Sequence, residues 1–156
     1  MTIDMIRPGI VLAALRRNSG NAAIEFVLIA PLLISALVAV TDLGIALYER
    51  MEIRNAAQAG AQYAIAKGWD SGAIENAVAG ASTLSGISAT PAPTQSCGCV
   101  SGTAIVAAAC GSLCPGGVAA GTYVTVNAQA QYATLFSYPG LANPLTLSAQ
   151  SMVRIQ

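Results

Sequence analysis

Between Phe26 and Thr41 the chain reads FVLIAPLLISALVAVT, with no charged residue, and this run restricts the fold more than any other feature of the sequence. As a helix it must be covered by other protein or by lipid, because apolar surface left in water costs roughly 25 cal/mol per Å². The first glycine after Ala22 is Gly44. About 27 residues from Ala22 to Tyr48, at roughly 1.5 Å each, make a helix of about 40 Å, enough to cross a bilayer and emerge. Pro31 removes one rung of the backbone ladder, which in a membrane helix produces a kink rather than a stop.

Charge placement sets the expected topology. Arg7, Arg16 and Arg17 precede the apolar run against a single acid, Asp4. Cations flanking a hydrophobic segment stay on the cytoplasmic side, so the chain after about Tyr48 is expected outside. Composition fits a small domain on an anchor: 54% of residues are hydrophobic and 9% charged, with only two Phe and one Trp to fill a large core. The remaining cations, Arg50, Arg54, Lys67 and Arg154, are scattered, and net charge is zero. No basic stripe exists for nucleic acid, which is excluded as a partner.

Beyond the run, YERMEIRNAAQAGAQYAIAKG continues the helix, and Glu49, Arg50, Glu52 and Arg54 mark its exit into water. Ile53, Ala56, Ala57, Gly60 and Ala64 share one face, whose small side chains permit close approach of the chain's own sheet or of another subunit. Gly60 costs the helix roughly 1 kcal/mol relative to Ala and leaves room on that face. Gly68 ends the helix, and AIENAVAGAST after Asp70 and Ser71 reads as a second, shorter one. From Ser85 the composition shifts to Gly, Ser, Thr, Pro and Val, with a break at TPAPTQ, Thr90 to Gln95. Side chains alternate with period two from Tyr123 or Val124 to Tyr132, and again from Leu145 to Ile155. The intervening SYPGLANP supplies turn chemistry, so these read as two antiparallel strands. One or two weaker strands are expected in the cysteine region, around Ile105 and Val106. The fold class is α+β, a long N-terminal transmembrane helix packed with a small C-terminal antiparallel sheet.

The residues offer little to catalysis. The chain has no His, which removes histidine triads and histidine metal ligation. Neither GxxxxGK[ST] nor GxGxxG occurs, and GGVAAG at Gly116 to Gly121 reads as a flexible loop rather than a phosphate cradle. Asp70 and Glu75 are isolated and solvated. Neither an enzyme activity nor a cofactor is expected. The cysteines fall as CGC, Cys97 and Cys99, then Cys110 and Cys114 in ACGSLCP. CxC is not the CxxC knuckle of structural zinc sites, so disulfides are preferred to a metal. Two bridges crossing from the CGC pair to Cys110 and Cys114 are expected, with the choice between the crossings left open. Each closes a loop of roughly 11 to 17 residues and contributes about 3 kcal/mol.

Glu25 is the anomaly, a carboxylate just inside the apolar helix. At one end of a membrane helix it can snorkel to the interface at small cost. Its neighbours give it more to do, because Arg16 and Arg17 lead into Asn18, Ser19 and Gly20, a short polar break where a protease can reach an extended chain. A cut after Gly20 makes Asn21 the first residue and Glu25 the fifth. A new cationic amine then lies close to an acid in lipid, in the same molecule or the next.

SGNAAIEF followed by the apolar run resembles the processing site of type IV prepilins, in which a Gly precedes the cut and a Glu stands five residues after it. Together with the short basic leader, Pro31 and AVTDLGIALYERMEIRNAAQAGAQYA, it resembles the TadE-like minor pseudopilins of the Tad (Flp) pilus system. The resemblance covers Arg16 to Gly68. Asp42 departs from it, standing where the family's common pattern has Glu, a like-for-like charge. The resemblance implies a pilin-like fold and cleavage between Gly20 and Asn21 by an inner-membrane prepilin peptidase. It also implies pairing of Glu25 with the N-terminal amine of Asn21 in a neighbouring subunit during assembly. On that basis residues 1–20 form a cytoplasmic leader and 21–48 the transmembrane helix. Residues 49–84 form the periplasmic helix continuation and second helix, and 85–156 the cysteine loop and strands. The expected partners are the peptidase, other pilins and pseudopilins, the pilus assembly machinery and the inner membrane. Two rivals remain. One is a secreted binding protein cut after Ala39; the other is a signal-anchored envelope protein that is never processed at Gly20.

Overall fold

The computed structural model describes residues 19–136, 140 and 142–156, with side chains from Ala22 onward. Residues 1–18 of the expected leader 1–20, with its three arginines, lie outside the described residues. The chain divides into two compact units, Met1–Thr41 and Asp42–Gln156.

Helix α1 runs from Ser19 to Lys67 with Pro31 inside it. In the first unit the large apolar side chains from Ile24 to Val40, apart from the half-buried Val38, stay between 51% and 74% exposed. They have no protein core to enter, which is the pattern of a helix whose cover is external, and its length and composition are sufficient to cross a membrane.

The second unit is an α+β fold. Helix α2, Ser71–Gly80, is started by Asp70, whose carboxylate accepts the Ala73 N–H at 3.0 Å, satisfying one of the orphan donors of a first turn. Four antiparallel strands follow: β1 Thr94–Ser101, β2 Ala104–Ala107, β3 Gly121–Tyr132 and β4 Leu145–Arg154. They form one sheet in the order β2-β1-β3-β4. Strand β3 pairs along its length with β4, from Tyr123 opposite Arg154 to Tyr132 opposite Leu145.

The core forms because two periodicities meet. Val124, Val126, Ala128 and Ala130 point from one face of β3, and Ile53, Ala56, Ala57, Ala61 and Ala64 from one face of α1, with Ile74 and Val78 of α2 between them. Ile53, Ile74, Val78, Val124 and Val126 are the largest fully buried side chains, each worth about 1.5–3 kcal/mol of burial. The small-residue face of α1 therefore belongs to its own domain. A Cβ built on Gly60 would stand 2.6 Å from Val78 Cγ2 and 2.9 Å from Val126 Cγ1. The room that glycine leaves is filled by this chain's α2 and β3.

Both strands expected around the C-terminal half are present, and the weak signal at Ile105 and Val106 is β2, exposed along its whole length. Its partner β1 holds the CGC sequence. The pair of glycines in GGVAAG forms a tight turn rather than a flexible loop: Gly117 N–H donates to Cys114 C=O at 2.9 Å and Cys114 N–H to Val118 C=O at 2.7 Å. Gly116 and Gly117 take φ of +106° and +80°, a region open to glycine without strain.

Candidate functional site

Helix α1 carries the residues with the most specific sequence signal. Gly20 and Asn21 stand in its first turn and Glu25 one turn further on. Asn21 and Glu25 are four residues apart, a spacing that puts two positions on one helix face about 5–6 Å apart at Cβ. An amine at Asn21 and the Glu25 carboxylate are within pairing range by that geometry. The polar break was expected to be extended, whereas Ser19 and Gly20 are already helical. A first turn is the easiest part of a helix to open, since its N–H groups lack intrahelical acceptors and glycine favours the helix least after proline.

Asp42, which the sequence marked only as a departure from the family's common pattern, has a structural role that sequence reasoning did not assign. It is the first residue of the second unit, and at 4% exposure it is buried although it follows a wholly apolar run. Its Oδ1 accepts the Tyr132 O–H and, at 3.2 Å, the Leu135 backbone N–H, while its main-chain carbonyl also accepts from Tyr132 at 3.2 Å. A buried carboxylate is tolerated when donors converge on it in this way. The contact fastens the end of β3 and the turn after it to α1 across 90 residues of chain. Its sequence signals were an acid where the helix had carried no charge since Glu25 and a position at which the resembled family's common pattern also has an acid.

One helix turn beyond Tyr48, Glu52 accepts the Ser82 hydroxyl at 2.8 Å, and Ser82 in turn accepts the Leu84 N–H at 3.1 Å. Arg50 and Arg54 are exposed on another flank. They line an open groove of about 910 Å³ with Asn127, Gln129 and Gln150. Guanidinium and amide groups hydrogen-bond and attract anions, but supply no general base at neutral pH.

All four cysteines lie in the second unit. Cys97 bonds Cys110 and Cys99 bonds Cys114, so the bridges run in parallel order from the CGC pair to the later pair. They tie β1 to the segment between β2 and β3. Gly98, between the first two cysteines, faces β2 so closely that an added Cβ would meet Ile105 Cγ2 at 2.5 Å and the Val106 carbonyl oxygen at 2.9 Å. The glycine of CGC is thus required by strand approach, independently of the sulfurs.

The family model described as TadE-like protein matches residues 20–62. Neither a curated protein nor a solved structure is significantly similar to the chain. The match begins at the glycine of the candidate cut, takes in Glu25, Asp42 and most of the buried face of α1, and stops before the sheet and its disulfides. Over residues 20–62, and so over the helix that carries these positions, the chain is similar to the TadE-like family.

Proposed function

We propose that this protein is a minor pseudopilin of a Tad (Flp) pilus, a structural component rather than an enzyme. A prepilin peptidase cuts it between Gly20 and Asn21, and its N-terminal helix first anchors it in the inner membrane and then packs into the assembly. Glu25 pairs with the amine created at Asn21, in the same subunit or a neighbour, which offsets the cost of a carboxylate in lipid. The second unit, held by its two disulfides, faces the oxidising periplasm.

The observation that carries this reading is the position of the family match. It opens at Gly20, includes a Glu five residues later, and follows an apolar helix whose large side chains have no cover within the described protein. Sequencing the N-terminus of the mature protein is the test. The pseudopilin reading expects Asn21; a start near Val40 would indicate a secreted protein, and Met1 or Thr2 an unprocessed anchor.

A further inference from the structure

We infer that the outer edge of β4 takes up an extended acidic segment of another protein as an added strand, with that segment's carboxylates meeting Arg50 and Arg54. This rests on the second unit alone and stands independently of cleavage at Gly20 and of the membrane anchor. In the order β2-β1-β3-β4 the last strand has β3 on one side and, among the described residues, no strand on the other. Ile155 N–H donates to the Thr122 carbonyl at 2.9 Å, and residues of an antiparallel ladder turn their backbone groups alternately toward and away from the partner strand. The backbone N–H and C=O groups of Thr146, Ser148, Gln150 and Met152 therefore point away from β3. The ladder with β3 runs unbroken from Leu145 to Arg154, and the strand holds no proline and no charge before Arg154. Edge strands that stay unpaired are blunted by charge, proline, bulges or brevity. β2 has only four residues, whereas β4 has ten and none of these devices before its last residue.

Residues of this strand also line the open groove of about 910 Å³, whose wall includes Ser148, Ala149 and Gln150 of β4 with Arg50 and Arg54 of α1. Leu47 and Met51, both exposed, add apolar surface to it. Neither arginine is in an ion pair among the described residues, and Glu52 is turned to Ser82. Four residues of helix rise about 6 Å, and two residues of strand advance about 6.6 Å. Carboxylates at alternate positions of an added strand thus match the spacing of Arg50 and Arg54. In strand addition the main-chain hydrogen bonds supply affinity and the alternate side chains supply specificity. On the core side of β4, Leu147, Ala149 and Val153 are only partly covered, so apolar residues flanking the acids on the same face of the added strand gain burial. A second copy of this chain fits less well, because its own β4 offers no acid and ends in the cation Arg154.

The test uses the full-length protein in nonionic detergent micelles, with the end-blocked peptide Val-Thr-Glu-Thr-Glu-Thr-Val carrying a neutral dye as the probe. Its anisotropy is expected to rise saturably at or below millimolar protein, with slowed amide exchange over residues 146–152. Replacing both peptide acids by Gln, or combining Arg50→Ala with Arg54→Ala in the protein, is expected to weaken binding about tenfold. N-methylation of the three threonine amides, which face β4 in an antiparallel pairing, should weaken it by a similar factor, as should Ser148→Pro, which deletes one outward N–H. Equal binding of the Glu and Gln peptides overturns the pairing with Arg50 and Arg54. An N-methylated peptide that binds as tightly as its parent overturns strand addition, and no binding at all overturns both. Two further results, each with the peptide unbound, also overturn the proposal. Short-chain phosphatidylglycerol whose binding needs both arginines gives the groove to an anionic lipid. A dimer in sedimentation that Ser148→Pro dissociates gives the edge to a second copy.

Discussion

Single atoms decide several positions. Tyr132→Phe removes one donor from the buried Asp42 carboxylate and is expected to lower the stability of the second unit by about 1–3 kcal/mol, read from urea unfolding in detergent. Asp42→Asn keeps an acceptor for Tyr132 and Leu135 and should lose less than Asp42→Leu, which strands both donors. Gly60→Ala raises helix propensity by about 1 kcal/mol, yet the new methyl would press on Val78 and Val126, and overpacking of this kind costs about 1–3 kcal/mol. The net expectation is a lower unfolding midpoint. Burial pushes the Glu49 carboxyl up from its usual value. An acid whose folded-state pKa is raised holds its proton more tightly in the native protein than in the unfolded chain. Stability therefore falls as pH rises from the usual carboxylate value through the raised one. Glu49→Gln should remove that decline in unfolding midpoints measured across this interval, by a small amount because the side chain remains largely solvated.

At the level of elements, the two halves of the sheet are held by different forces. β3 and β4 rest on α1 and α2 through the apolar cluster, whereas β2 is exposed and β1 is tied to the segment before β3 by Cys97–Cys110 and Cys99–Cys114. Reduction of both bridges is expected to raise amide hydrogen exchange across residues 94–120 and to leave the β3–β4 ladder protected, as mass spectrometry of exchanged peptides would read. The strands with period-two alternation were legible in the sequence because β4 alternates half-buried with exposed positions and β3 alternates buried with more open ones from Val126 to Tyr132. β1 was not, since its buried centre is CGC, where disulfides and a glycine replace the alternating aliphatics on which such reading depends. The register of the cysteine pairs was equally hidden, because it follows from the pairing of β1 with β2 and with β3.

The whole molecule joins an uncovered apolar helix to a domain whose core is small. Gly20→Arg is expected to leave the protein full length on immunoblots, because the residue before the cut is altered. Glu25→Ala is expected to be processed yet fail to support piliation, and wild-type pilus numbers in that variant would remove the assembly role given to Glu25. What the sequence determined by itself is local or additive: the apolar run, the charge gap from Phe26 to Thr41, the spacing of Gly20 and Glu25, and the periodicities of α1, β3 and β4. What only the tertiary structure decided is non-local. The face of α1 around Gly60 was open to the chain's own sheet or to another subunit until β3 and α2 were seen to fill it. Asp42 stood in the sequence only as a like-for-like departure from the family's common pattern, and it is Tyr132 and Leu135, distant in sequence, that converge on it. The physical reason is the same in both cases. Periodicity says which face of an element must be covered, and only the meeting of distant segments says what covers it.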